Sequence, residues 1–157
     1  MKIFIASDHG GFELKKTVIE DLKPKNYDLT DLGAFELDSN DDYTDFAAKL
    51  SDEIIRYGKN VSANVIGILI CRSGIGMSIA ANKVKGIYAA LCFTPLHAKR
   101  AREHNNANVL CLDSDYGDVE NHKKVVETFI ESNFIGWDTR HGRRIKKIEE
   151  LERKNFK

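Results

Sequence analysis

The 157-residue sequence predicts an α/β fold: a five-stranded parallel sheet covered by helices on both faces, with one extra helix at the C-terminus. Three observations carry this. Short apolar runs alternate with segments whose apolar residues recur at helical spacing. The run from Asn64 to Cys71, Asn-Val-Ile-Gly-Ile-Leu-Ile-Cys, is continuous and so reads as a strand buried on both faces. Each strand is followed by a helix, and parallel neighbours need such long crossovers.

Taken in order, Ile3–Ala6 is a strand broken by Asp8-His-Gly-Gly11, and Leu14, Val18, Ile19 and Leu22 mark the helix after it. Tyr27–Leu32 alternates like a strand near an edge. Asp41–Thr44 opens the next helix, with Phe46, Leu50 and Ile54 on its apolar face. Val65–Ile70 is the central strand and Gly76–Lys83 its helix. Ile87–Cys92 and Pro95–His104 form the next pair, with Pro at the first helical turn. Val109–Leu112 is the last strand, and Val119, Val126, Phe129 and Ile130 mark the helix that follows. The result is a Rossmann-like three-layer sandwich. No internal repeat, low-complexity segment or linker interrupts it, so residues 1–157 read as one domain. A terminal helix at about 141–155 carries the narrow stripe Ile145, Ile148 and Leu151, which suits packing on a partner subunit; a homodimer is the economical expectation.

Lys plus Arg equals Asp plus Glu at 24 each, which argues against a nucleic-acid footprint. No stretch approaches membrane-spanning length, and the start Met-Lys-Ile-Phe-Ile-Ala-Ser-Asp reads as a strand rather than a signal peptide. Cys71, Cys92 and Cys111 lie in or beside apolar runs at no metal-ligand spacing, which points to reduced thiols and a cytoplasmic setting. Asn60-Val-Ser62 matches a glycosylation acceptor and reads as chance without a secretion signal.

In parallel sheets ligands bind at the carboxyl ends of the strands. The loops concerned are Ser7–Gly11, Cys71–Ser78, Cys92–Thr94 and the stretch after Leu112. Cys71 is either a small core residue or a reactive thiol. Its place before the Gly-rich helix start favours the second, with a thiol pKa lowered by the helix N-terminus. The N–H groups of Ser73, Gly74, Ile75 and Gly76 would then hold a developing oxyanion. Gly74-x-Gly76 alone is weak: no Gly-Lys-Ser/Thr follows, and the third glycine of a dinucleotide fingerprint is missing. Asp8 either caps the first helix or binds hydroxyls in the pocket, with His9 beside it. His104, just before Asn105, is suited to proton shuttling, though a histidine stabilising a helix C-terminus is an adequate reading as well. His97 and His104 lack a carboxylate arrangement for a metal site, so no metal is expected. Arg140 and Arg144 share a helix face and suit a phosphate, or form a solvated basic turn with Arg143, Lys146 and Lys147.

Five stretches together resemble the type B ribose-5-phosphate isomerases and the related LacAB-type sugar isomerases. They are Ser-Asp-His-Gly-Gly-Phe-Glu-Leu-Lys (7–15), Asp-Tyr-Thr-Asp-Phe-Ala (42–47) and Gly-Ile-Leu-Ile-Cys-Arg-Ser-Gly-Ile-Gly-Met-Ser-Ile-Ala-Ala-Asn-Lys (67–83). Ala-Arg-Glu-His-Asn-Asn-Ala-Asn-Val-Leu (101–110) and Arg-His-Gly-Arg-Arg-Ile (140–145) complete the set. The resemblance implies an aldose–ketose isomerisation on a sugar phosphate, without cofactor or metal. It gives Cys71 the role of the base between C1 and C2, and His104 that of opening the furanose ring. Residues 72–76 would surround the enediolate, with Ser73 at the place of a family Thr or Ser. Asp8, His9, Tyr43 and Asn105 match sugar-binding positions, and Arg140 and Arg144 match phosphate ligands. Members of the family build the pocket across a homodimer, sometimes paired into tetramers.

Three positions depart from the family pattern. Arg72 stands where Gly is usual, Asp115 where a phosphate-binding Arg is usual, and Thr44 where Pro is usual. Arg72 either lowers the Cys71 pKa further or points away; it is also the candidate to replace the charge missing at 115. A six-carbon substrate such as allose or galactose 6-phosphate is the nearest rival, and having both Cys71 and His104 favours the pentose. A cysteine phosphatase needs Cys-x5-Arg, but Met77 occupies the sixth place. A non-catalytic sugar-phosphate-binding relative is the other reading, and Asp115 is its best support.

Overall fold

The computed structural model describes residues 1–60 and 65–156. Val61 and Ser62 of the glycosylation acceptor, and Asn64 at the head of the central apolar run, lie outside the described residues. The sheet comprises β1 (Lys2–Ser7), β2 (Asp28–Asp31), β3 (Val65–Cys71), β4 (Ala89–Leu91) and β5 (Val109–Asp113). All pairings are parallel, in the order β2-β1-β3-β5-β4, so the apolar run ending at Cys71 is the middle strand, as expected. The helices are α1 (Phe12–Leu22), α2 (Tyr43–Asn60), α3 (Ile75–Ala81), α4 (Pro95–Asn105), α5 (Val119–Glu131) and α6 (Arg140–Asn155).

Strand alternation sorts the core into two layers. Ile3, Ile5, Ile68, Ile70, Leu110 and Leu112 face Leu14 and Val18 of α1, Ala98 and Ala101 of α4, and Val125 and Phe129 of α5. Phe4, Ala6, Leu69, Cys71, Val109 and Cys111 face Ala47, Leu50 and Ile54 of α2 and Met77 and Ala81 of α3. Each buried Leu, Ile or Phe contributes about 1.5–3 kcal/mol, so these two layers hold the carboxyl end of the sheet rigid.

The differences from expectation are local. β4 pairs over three residues rather than the full Ile87–Cys92 run, because it is an edge strand with one neighbour. The helix expected over 76–83 spans 75–81, so Ile75 is its first residue. Val119 is exposed at the first position of α5 instead of on its apolar face. Lys15, read only as the last residue of the 7–15 stretch, is 2 % exposed; its ammonium donates to both Asp31 oxygens at 2.7 and 2.8 Å and to the Ala34 carbonyl at 2.7 Å. That triple contact ties α1 to the turn after β2. On α6, Ile145 is buried within the chain, whereas Ile148 and Leu151 stay exposed. The stripe is therefore divided between its own core and an uncovered face.

Candidate active site

The chain leaves β1 toward β2 on one side and later enters β3 on the other, so the carboxyl ends of β1 and β3 flank a topological switch point. Asp8 and Cys71 stand at those two ends. Gly11 lets the loop after β1 lie directly on β3: a Cβ there would sit 2.3 Å from the Ile70 carbonyl oxygen. Asp8 Oδ1 accepts the Gly11 N–H at 3.0 Å, so Asp8 braces this turn. Burial pushes its carboxyl above the usual range.

Cys71 is buried, with Gly74 N–H donating to its Sγ at 3.1 Å. Gly74 has φ +71°, and a Cβ would meet Leu91 Cδ1 at 2.4 Å, so only glycine fits this turn. Ser73 accepts the Ile75 N–H at 3.3 Å, and the Tyr43 ring lies over Gly76, Cζ being 2.7 Å from where a Cβ would be. Gly74 thus touches the thiol directly, Ser73, Ile75 and Gly76 continue the same turn, and Tyr43 packs on Gly76.

The expected fall in the Cys71 pKa is not what the geometry produces. Burial pushes the thiol up, and the Asp8 carboxylate pushes the same way. The N–H groups of Met77, Gly74 and Ser73 oppose these effects without cancelling them. α3 has only seven residues, and the sulfur lies beneath it rather than in water. Nor does Arg72 assist: it is 66 % exposed and turns to Asp115, Nη1 to Oδ1 at 3.7 Å. Its stem crosses Gly10, whose added Cβ would sit 2.6 Å from Arg72 Cγ. Ser114 N–H donates to the Cys71 and Arg72 carbonyls, and Asp115 N–H to the latter, so the loops after β3 and β5 move as one.

Sequence reasoning missed Asp41. Its Oδ1 accepts the His9 N–H at 3.0 Å and lies 2.5 Å from His9 Nδ1, while Oδ2 is buried without a hydrogen bond. Its only signals in the sequence were a place at the expected start of the second helix, Asp41–Thr44, and just before the 42–47 motif. Asp8, His9 and Asp41 also bring three metal-ligand-type atoms within 4.8 Å of one another, although His9 and Asp41 already satisfy each other.

His104, Asn105, Arg140 and Arg144 are brought together elsewhere. His104 and Asn105 end α4, which runs back antiparallel to the strands; Asn108, just beyond, accepts the Gly67 N–H near the foot of β3. The His104 ring stacks on His141, centroids 4.1 Å apart, and Arg140 Nε bonds His141 Nε2 at 3.2 Å. Arg144 follows one turn along α6. Cys71 stands four residues above Gly67, roughly 13 Å at 3.3 Å per residue. Within one chain the thiol and this basic cluster therefore occupy opposite poles.

No helix among the described residues is long and apolar enough to cross a membrane. The family model described as Ribose/Galactose Isomerase matches residues 3–148. A Mycoplasma genitalium protein named "Probable ribose-5-phosphate isomerase B" is 48% identical over 151 residues, covering 96% of this chain and 95% of its own. Ribose-5-phosphate isomerase B of Mycolicibacterium paratuberculosis is 35% identical over 155 residues, 98% of this chain and 92% of its own. The crystal structure of the M. genitalium isomerase B with bound ribulose-5-phosphate superposes with a TM-score of 0.90 at 45% identity, over 98% of this chain and 97% of that one. With matches this long on both sides, and the sheet, the thiol and the basic cluster in place, the chain belongs to the ribose/galactose isomerase family.

Proposed function

We propose that this chain interconverts D-ribose 5-phosphate and D-ribulose 5-phosphate as a type B ribose-5-phosphate isomerase, with Cys71 as the base and a second copy completing each pocket. The observation that carries the reading is the buried thiol at the switch point, its sulfur facing the N–H of Gly74. Deprotonated, Cys71 removes the C2 proton of the open-chain aldose and returns it to C1, while the O2 proton passes to O1. The enediolate between these steps gathers its negative charge on oxygen. N–H groups of residues 73–76 and the Ser73 hydroxyl are the donors that would stabilise that charge. Burial makes the thiolate scarcer and also a stronger base, which suits a proton held by carbon.

Ring opening comes first. A histidine gives a proton to the ring oxygen and takes one from the C1 hydroxyl. His104 has the right chemistry, but proton transfer needs groups within about 3 Å, far less than the distance between the poles of one chain. A two-fold partner that sets its amino pole against this chain's carboxyl pole resolves this. Ile75 and Ile79 beside the thiol, with Ile148 and Leu151 on α6, are exposed large apolar residues that such a partner would cover. Asn105, Arg140 and Arg144 then arrive with His104, the arginines taking the phosphate. Asp8, His9 and Tyr43 bind hydroxyls from the Cys71 side, Asp41 holding His9 in place, and Arg72 stands at the rim for the phosphate.

A coupled assay of ribose 5-phosphate against ribulose 5-phosphate, with Cys71→Ala as control, tests this. Turnover that vanishes in the variant supports it; a well-folded wild type inert toward ribose 5-phosphate overturns it, and allose 6-phosphate run alongside separates the pentose from the hexose reading.

A further inference from the structure

His104 does not stand alone at its pole. Its ring, at the last turn of α4, lies on the ring of His141 at the first turn of α6, with 19° between the planes. His141 is buried and His104 only partly so, which makes His141 the floor and His104 the face offered outward. The floor is rigid. Thr139 Oγ1 accepts the N–H groups of both His141 and Gly142 at 3.2 Å. Gly142 presses on the preceding turn so closely that a Cβ would sit 2.3 Å from the Trp137 carbonyl oxygen.

The floor is also neutral. Arg140 Nε can only donate, so His141 Nε2 must accept with its lone pair, which places the ring proton on Nδ1; an imidazolium has no lone pair to offer. Burial, with His104, Arg140, Arg144 and Arg100 around it, holds His141 below the ordinary imidazole range. A flat uncharged ring under His104 removes the tilt freedom of an end-of-helix side chain and sets no second positive charge against its face. Because Arg140 reaches His141 through Nε, both terminal guanidinium nitrogens are left to other partners, a phosphate among them.

We propose that His141 is a positioning residue for His104, a neutral aromatic platform that fixes the imidazole for proton exchange with the sugar ring. The proposal rests on the isomerase reading and adds a residue to it.

Three variants test it: His141→Phe keeps a flat neutral ring, His141→Gln keeps an acceptor for Arg140 without a ring, and His141→Ala keeps neither. We expect His141→Ala and His141→Gln to lose about tenfold or more in kcat with KM held within roughly threefold, and His141→Phe to stay within roughly threefold of wild type. Thermal unfolding identifies any variant that fails to fold. The His104 imidazole proton signals give a readout that needs no turnover: the ring-current shift should persist in His141→Phe and disappear in the other two. Wild-type kcat in His141→Ala, a His141→Phe as slow as His141→Ala, or His104 signals indifferent to all three would overturn the inference. A wild type that isomerises no sugar phosphate would instead overturn the reading on which it rests.

Discussion

Mixing two inactive proteins should restore activity. Cys71 lies four strand residues above Gly67, while the 11 residues of α4 carry the chain back toward the foot of the sheet, a descent of about 16 Å at 1.5 Å per residue. A sugar that must present C2 to the thiol and its ring oxygen to His104 cannot reach both within one chain. Cys71→Ala alone and His104→Ala alone should each lose about 100- to 10,000-fold, the usual cost of removing a general acid or base. In a two-fold dimer each pocket takes the thiol from one subunit and the imidazole from the other. A heterodimer of the two variants then holds one pocket with both defects and one with neither. Random exchange makes about half of all dimers heterodimers, so the mixture should regain about a quarter of wild-type turnover and the isolated heterodimer about half. The assay is ribulose 5-phosphate formation after the differently tagged variants are unfolded, mixed and refolded, with the heterodimer isolated through both tags. A verified heterodimer no more active than its parents would refute the two-pole argument and return both groups to a single chain's pocket.

Three other outcomes follow from the same geometry. Burial raises the Cys71 pKa, and with the thiolate as the proposed base kcat/KM should climb with pH from neutrality with a slope near one, about tenfold per unit; a plateau already reached at pH 7 would mean that the thiolate is ready-made. Asp41→Ala removes the partner of both His9 nitrogens, and at about 1.5–3 kcal/mol for a charged hydrogen bond it should raise KM roughly tenfold or more; steady-state kinetics showing an unchanged KM would deny His9 a sugar-binding role. Arg72 and Asp115 are exposed and 3.7 Å apart, a pair worth less than about 1 kcal/mol, so Arg72→Gly should leave the melting temperature nearly unchanged while sharply raising KM. Asp115→Asn should lower KM by freeing the guanidinium, and an unchanged KM in Arg72→Gly would end the idea that Arg72 serves the phosphate.

How legible the molecule was depended on whether the deciding physics is local. The middle strand was readable because Val65–Ile70 is apolar without alternation, which only a strand covered on both faces requires. The place of Cys71 followed, since Gly74 has to break the chain there. Its ionisation did not follow. A helix N-terminus lowers a thiol's pKa when the sulfur keeps some access to water, and the burial that reverses the sign needs α2 and Ala6, both distant in sequence, packed with α3 in the same layer. Asp41 was hidden for the same reason, 32 residues from the His9 it holds and embedded in a polar run. His141 was hidden too, because among so many cations an Arg-His-Gly turn looks like solvated surface until α4 is laid against it.

The division of the site between two poles, by contrast, is written in the order of the elements. In a parallel sheet each strand ends at the carboxyl pole and each crossover helix returns the chain to the amino pole. A residue directly after a strand and a residue directly before one therefore stand at opposite ends, whatever the loops between them do. Cys71 closes β3, and His104 ends a helix four residues short of Asn108, where β5 is about to begin. Any mechanism that uses both on one substrate already calls for a second copy, and the exposed Ile148 and Leu151 on α6 supply apolar surface with which that copy can be met.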